Sequence, residues 1–180
     1  MKKFFTISFM TRQALIAALY ILLTFSGLGF GYGPVQFRYS EVLNWLCFLD
    51  PKNMMGLSLG CFIANMASPY GLIDMVVGTL GTFLATYCMA KSRSKYWAMV
   101  FPSLFSFLYS AEAVFLGQVP KSLFFLDYGK IALSEIIITG IIGIPLMTLL
   151  LRFPKMQGIL VDPTQKPTKE SWTGQSPFPF

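Results

Sequence analysis

"LIDMVVGTLGTFLATYCMA", residues 72–90, decides the fold class. The stretch carries a single charge, Asp74, and its Gly, Ala, Phe and aliphatic residues run throughout instead of keeping to one stripe of a helix. An apolar run of about 17–25 residues is what a bilayer asks of a spanning helix. The rest of the chain shares this character. Its 180 residues are 54% hydrophobic and 12% charged, with a mean hydropathy of +0.60. A soluble domain usually carries about 25% charged residues. The alternating pattern of a membrane barrel is missing. The composition therefore specifies an all-α membrane protein.

Outward from residues 72–90, turn chemistry separates further apolar segments. Upstream, Ser68-Pro69-Tyr70-Gly71 ends a helix expected over about 54–67, and Asp50-Pro51-Lys52-Asn53 ends a short one over about 39–49. The first helix is expected over about 12–29. Downstream, the basic stretch 91–95 leads to a fifth helix over about 96–117. A loop through Pro120 and Asp127 then leads to a sixth over about 129–153. The reading is a six-transmembrane-helix bundle in one domain, residues 1–153. Residues 154–180, rich in Pro, Thr, Lys and Gln, have too few apolar side chains to offset the entropy of ordering and are expected to form a disordered cytoplasmic tail.

Lys and Arg near the ends of spans set orientation. With six spans, Lys2, Lys3, Arg12, Lys52, Lys91, Arg93, Lys95, Arg152, Lys155, Lys166 and Lys169 fall on one side, which should be the cytoplasm of a bacterial cell. The other side keeps Arg38, Lys121 and Lys130, and both termini lie inside. A cleaved signal peptide ending near Ser26-Gly27 is the rival reading of the N-terminus. The apolar run, interrupted by Thr11-Arg12-Gln13 and continuing to Phe30, fits a retained span better. The net charge of +6 is spread over inner loops and tail, so topology accounts for it without a nucleic-acid partner.

Several chemistries lack their residues. Cys47, Cys61 and Cys88 have no paired spacing and histidine is absent, which argues against a zinc site or a Cys-His nucleophile. No phosphate-binding Gly-Lys-Ser/Thr loop occurs. Uphill movement of a solute would need ATP hydrolysis by another subunit. No cofactor, metal or enzymatic activity is expected.

Eight acidic residues occur, of which Asp162 and Glu170 are in the tail, Asp50 in an inner turn and Asp127 in an outer loop. The remaining four, Glu41, Asp74, Glu112 and Glu135, come from four helices at one expected depth near the outer ends, joined there by Asn65. A charge in hydrocarbon costs roughly 2.5–3.5 kcal/mol on insertion scales, so such groups face a partner, a bundle interior or a cavity. A structural account pairs Glu41 with Arg38 one turn back and uses Asp74 as an early-helix residue favoured by the dipole. Four carboxylates at one level point instead to an outward-facing, electronegative binding pocket.

The segment "GPVQFRYSEVL", residues 33–43, supplies its cover. In an extended approach Gln36 and Arg38 point one way and Phe37 the other, placing an amide and a guanidinium over the pocket. Once the chain is helical, Glu41, Asn44 and Trp45 share a face. Tyr32, Tyr39, Tyr70, Tyr109 and Tyr128 flank outer helix ends, as an interfacial aromatic belt does. They would also stack on a flat heteroaromatic ligand.

Residues 33–43, with "GLSLGCFIANMASPYGLIDMVVGTLGTFLAT" at 56–86, resemble the QueT group of substrate-capture subunits (S-components) of energy-coupling factor transporters, over most of residues 11–152. The resemblance implies a six-helix protein that takes up a queuosine precursor, 7-aminomethyl-7-deazaguanine. Its partners would be a transmembrane coupling subunit and a pair of cytoplasmic ATPases. Substrate would bind outside beneath loops at about 30–38 and 68–71, and toppling in the membrane would release it inside. Such a ligand suits the residues: carboxylates accept its ring donors and pair with its ammonium, while Arg38, Gln36 or Asn65 could donate to its carbonyl. Which carboxylate reads which group stays open. The resemblance also implies that the Ala14/Ala18 face of the first helix docks on the coupling subunit, small residues allowing close backbone approach in lipid. Gly56, Gly60 and Ala64 repeat the device and suit internal packing equally well. An S-component for another vitamin or nucleobase, a solitary transporter, a membrane enzyme and a purely structural subunit remain as alternatives.

Overall fold

The computed structural model describes residues 6–26, 38–68, 70–153 and 155, and every regular element among them is helical. Among the described residues, four helices are long and apolar enough to cross a membrane: Ile7–Ser26, Leu72–Lys91, Lys95–Phe115 and Lys121–Leu150. The first is α1 (Ile7–Ser26). It begins five residues before the sequence expectation, at Ile7 instead of Arg12, and passes through Thr11-Arg12-Gln13 unbroken, the Thr11 hydroxyl donating back to the Ile7 carbonyl at 3.0 Å.

Between α1 and the next long helix the chain makes two short ones. A 3₁₀ segment, Tyr39–Asn44, continues into α2 (Trp45–Leu49). The turn expected at residues 50–53 follows, with Asp50 Oδ1 accepting from the Lys52 N–H at 3.0 Å. Next comes α3 (Met54–Asn65), 12 residues long. At 1.5 Å per residue, α3 reaches about 18 Å, short of a hydrocarbon core of about 30 Å.

The chain re-enters at Gly71, whose φ of +68° suits a residue without Cβ, and α4 (Leu72–Lys91) runs back with Asp74 in its first turn and Lys91 in its last. Both charges oppose the local end of the helix dipole. Ser94 caps the next rod by accepting from Tyr96 N–H at 3.3 Å. This rod comprises α5 (Lys95–Ala98), α6 (Val100–Phe105) and α7 (Phe107–Phe115).

A 3₁₀ turn at Lys121–Leu123 opens the final rod, α8 (Phe124–Ile136), a π segment Ile137–Gly143 and α9 (Ile144–Leu150). Here the sequence expectation is corrected. Asp127 belongs to the first turn of α8 and not to a loop; the only helix-breaking residue nearby, Pro120, precedes the helix, and Gly129 is tolerated within it. Pro145 has no N–H to donate, and the widened π turn lies directly before its helix. The Trp45 indole donates to the freed Thr139 carbonyl at 2.8 Å.

Neighbouring rods are locked by close approach. A Cβ on Gly60 would lie 2.8 Å from Tyr20 Cβ and 3.0 Å from Ala17 Cα, and Gly56 N–H donates to Gln13 Oε1 at 2.8 Å. The small residues of α3 therefore serve internal packing against α1. The apolar core gathers around Trp45, with Tyr20, Leu57, Cys61, Met89 and Met147. Large apolar side chains elsewhere, such as Leu22, Val76, Leu133 and Ile141, are exposed, as befits faces turned to lipid. Residues 154 and 156–180, the expected tail, lie outside the described residues.

Candidate functional site

Arg38 ends an extended residue (φ −97°, ψ 101°) that leads into the 3₁₀ segment, whose three-residue repeat stacks Arg38, Glu41 and Asn44 on one edge. Its guanidinium enters the bundle: Nη2 lies 3.7 Å from Asp74 Oδ1 and Cζ lies 5.7 Å above the Tyr109 ring. The expected Arg38–Glu41 pair is replaced by this Arg38–Asp74 pair. Glu41 is instead served by two neutral donors. The Tyr20 hydroxyl donates to Oε1 at 2.6 Å, and Asn44 Nδ2 donates to Oε2.

Two other carboxylates, Glu112 and Glu135, lie in the electrostatic neighbourhood of Arg38. Glu112 interacts electrostatically with Asp74 and Arg38, and Glu135 with Glu41 and Arg38. Arg38, Glu41, Asn44, Asn65, Asp74, Tyr109, Glu112 and Glu135 are all at most 7% exposed. Of these four buried carboxylates, Asp74 forms the ion pair with Arg38. Tyr109 is no interfacial aromatic but packs inside, its hydroxyl so close to α4 that a Cβ on Gly81 would lie 2.7 Å away.

Open valences decide what this cluster can do. Asn65 Nδ2 donates to the Asp74 carbonyl at 3.2 Å and to Cys61 Sγ at 3.5 Å, and the Cys61 Sγ in turn lies 3.3 Å from Thr82 Oγ1. These bonds orient the amide so that Asn65 Oδ1 is left over. Asn44 Oδ1, Asn65 Oδ1, Asp74 Oδ2, Glu112 Oε1 and Glu135 Oε2 are buried and have no hydrogen-bond partner among the described residues. All five are acceptors. Leaving one buried acceptor unpaired costs about 1–3 kcal/mol, more when it is charged, so these five oxygens make the cluster the candidate site for a molecule that brings N–H donors.

Gln36 lies outside the described residues, as do residues 30–37 of the expected covering segment. Ala14 and Ala18 are far from the cluster in character: both sit on the exposed face of α1, opposite Gln13, Ala17, Tyr20 and Thr24. Sequence reasoning missed Tyr20 and Asp127. Gln13, Tyr20 and Thr24, seven and four residues apart, mark one polar stripe on an otherwise apolar helix and could have revealed Tyr20. Asp127 accepts from Ser110 Oγ at 2.8 Å. A surface groove of about 520 Å³, lined by Pro51, Lys52, Met54, Met55, Ser58 and Phe83, lies at the Asp50 end and contains none of the clustered residues.

Comparison with known proteins agrees with this architecture of long apolar helices. Residues 10–152 match the family model described as QueT transporter. The chain is 34% identical over 139 residues to the queuosine precursor transporter QueT of Lactococcus lactis subsp. cremoris (strain MG1363), covering 68% of this chain and 80% of that protein. No solved structure matches it. A family match over most of the chain, together with four helices able to span a bilayer, establishes a multi-pass protein of the cell membrane that belongs to the QueT transporter family.

Proposed function

We propose that the chain is the substrate-capture subunit of an energy-coupling factor importer and that its ligand is the queuosine precursor 7-aminomethyl-7-deazaguanine. The observation that carries this reading is the set of five open acceptor oxygens around Arg38. A deazaguanine brings paired N–H donors on its ring edge and an ammonium on its arm, which carboxylates and amide oxygens complement. Its carbonyl needs a donor. Asn65 has committed its Nδ2 to Asp74 and Cys61, which leaves Arg38 as the donor on the described side of the site. The Tyr109 ring, already beneath the guanidinium, offers a stacking face for the heterocycle.

In this reading the chain forms six helical passes with both termini in the cytoplasm, the Arg38 end opening outward. The two short helices, Tyr39–Leu49 and Met54–Asn65, fill the bundle beside α1. Ala14 and Ala18, exposed on α1, dock on a transmembrane coupling subunit, and two cytoplasmic ATPases supply the energy. Toppling of the loaded subunit in the bilayer would turn the site inward.

The test is thermal stabilisation of the purified full chain in detergent. A ligand at about 100 times its Kd adds roughly 2.7 kcal/mol of stability, and 7-aminomethyl-7-deazaguanine should raise the melting temperature where guanine, thiamine and riboflavin do not. Stabilisation by one of the latter alone would replace the ligand in this reading.

A further inference from the structure

Among the four clustered carboxylates, Glu41 has both oxygens oriented by uncharged protein donors, Oε1 by Tyr20 at 2.6 Å and Oε2 by Asn44. We infer that Tyr20 is a positioning residue that clamps Glu41 as the bidentate acceptor for the paired N–H donors on the ligand's ring edge, an inference that rests on the function proposed above.

Tyr20 is completely buried, and its own placement is over-determined. Its Cβ is pressed against Gly60, where any added Cβ would stand 2.8 Å away. Its carbonyl accepts from the Thr24 hydroxyl at 2.9 Å, and the Thr24 and Ser40 hydroxyls are hydrogen-bonded at 2.8 Å, fastening α1 to the 3₁₀ segment one residue before Glu41. The phenol oxygen therefore meets Glu41 from a fixed point. Each carboxylate oxygen accepts about two hydrogen bonds, so Tyr20 and Asn44 use one valence of each oxygen, leave one of each, and hold the carboxylate at both ends. Two parallel N–H groups at fixed spacing fit that arrangement.

Glu112 and Glu135 are held differently. Each keeps one buried oxygen without a hydrogen-bond partner among the described residues, which an ammonium on the ligand's arm would complete. A clamped acceptor suits a rigid ring edge and an unclamped one suits the arm. Tyr20 should therefore govern recognition of the ring donors and leave recognition of the arm alone.

The experiment uses the purified full chain and its Tyr20→Phe variant, which removes one oxygen and keeps the buried ring. Calorimetric Kd values are measured for 7-aminomethyl-7-deazaguanine, for its analogue lacking the 2-amino group, and for 7-cyano-7-deazaguanine. Wild type should prefer the 2-amino ligand over the 2-deamino analogue by about 100-fold, and Tyr20→Phe should narrow that ratio to about tenfold. Its preference for the aminomethyl over the cyano ligand should not change. Asn44→Ala, which frees the other oxygen, should narrow the same ring ratio and serves as the independent variant should Tyr20→Phe not fold. Equal weakening of all three ligands, with both ratios intact, would show that the Tyr20 hydroxyl only packs and would overturn the inference. A fall in the aminomethyl-to-cyano ratio instead would overturn it by moving Glu41 to the arm. Failure of wild type to bind either deazaguanine would bring down the proposed function itself, and this inference with it.

Discussion

Two charged clusters sit at opposite ends of the same bundle, one partly exposed at Arg12 and one buried around Arg38. At one end Arg12 Nη1 meets Asp50 Oδ2 at 2.9 Å, and Asp50 Oδ1 accepts the Lys52 N–H at 3.0 Å. That carboxylate is bonded at both oxygens and neutralised by a guanidinium, whereas Glu41 is bonded at both oxygens by uncharged donors. The amide groups Gln13 Nε2 and Asn53 Oδ1 are left over at the Asp50 end, but no carboxylate oxygen is. At the other end Arg38 and Asp74 stand 3.7 Å apart, and Asp74, Glu112 and Glu135 each keep an oxygen without a partner among the described residues. The first cluster is closed on itself, as a structural ion pair must be when one partner is taken out of water. The second leaves carboxylate oxygens open. Buried polar groups are nearly always satisfied, so the open acceptors at this end are where the proposed ligand would bring its donors.

The strongest way to break this comparison is to neutralise the open carboxylates. One of Glu112→Gln and Glu135→Gln should lower the preference for 7-aminomethyl-7-deazaguanine over its neutral cyano analogue by about 100-fold, because a charge-assisted bond is replaced by a neutral one. Calorimetric titration with both ligands reads the ratio directly. If both variants keep the wild-type ratio, neither open carboxylate meets the arm, and the two ends do not differ in the way described.

Asp50→Asn probes the closed end. Arg12 is one-third exposed and Asp50 is buried, so solvent screening reduces the value of the pair. A loss of about 1–2 kcal/mol is expected, seen as a lower melting temperature of the unliganded protein. Kd for the aminomethyl ligand should stay within about twofold of wild type, since changes at well-separated sites are additive. A tenfold weakening of binding would mean that the closed end is coupled to the site.

Ala18→Trp provides the smallest expected change. Ala18 belongs to neither cluster and is exposed on α1, so both the melting temperature and Kd should match wild type. Uptake in cells carrying the full importer should fall, because a bulky ring holds two helices apart where small residues allow contact. Unaltered uptake would remove α1's outer face from the docking model.

Much of the fold was legible before any coordinates. The expected helices over 39–49, 54–67, 72–90 and 96–117 differ from those observed by two residues or fewer at most ends, because Pro, Gly, Asp and Ser at the turns constrain the backbone locally. The ends of the last rod were less legible. Asp127 read as a loop residue and the helix was expected from Gly129, yet the structure starts α8 at Phe124, where Asp127 gains the Ser110 hydroxyl as partner. The residues of the cluster were likewise named from sequence, since ionisable groups in apolar runs are conspicuous. Tyr20 was not, because a tyrosine in a membrane helix looks like one more aromatic.

The sequence by itself determined that this chain lives in a membrane, where its apolar segments begin and end, and which few polar residues are carried into them. Hydropathy and turn chemistry are properties of a segment and need no partner to be read. Only the tertiary structure decided that Arg38 reaches across to Asp74 instead of its helical neighbour Glu41, that Tyr20 and Asn44 take the two oxygens of Glu41, and that oxygens of Asn44, Asn65, Asp74, Glu112 and Glu135 are left without partners among the described residues. Those choices depend on distances between side chains from different helices. Close approach of α1 to α3 at Gly56 and Gly60, and of α4 to α7 at Gly81, sets those distances, and no periodicity within one segment encodes them.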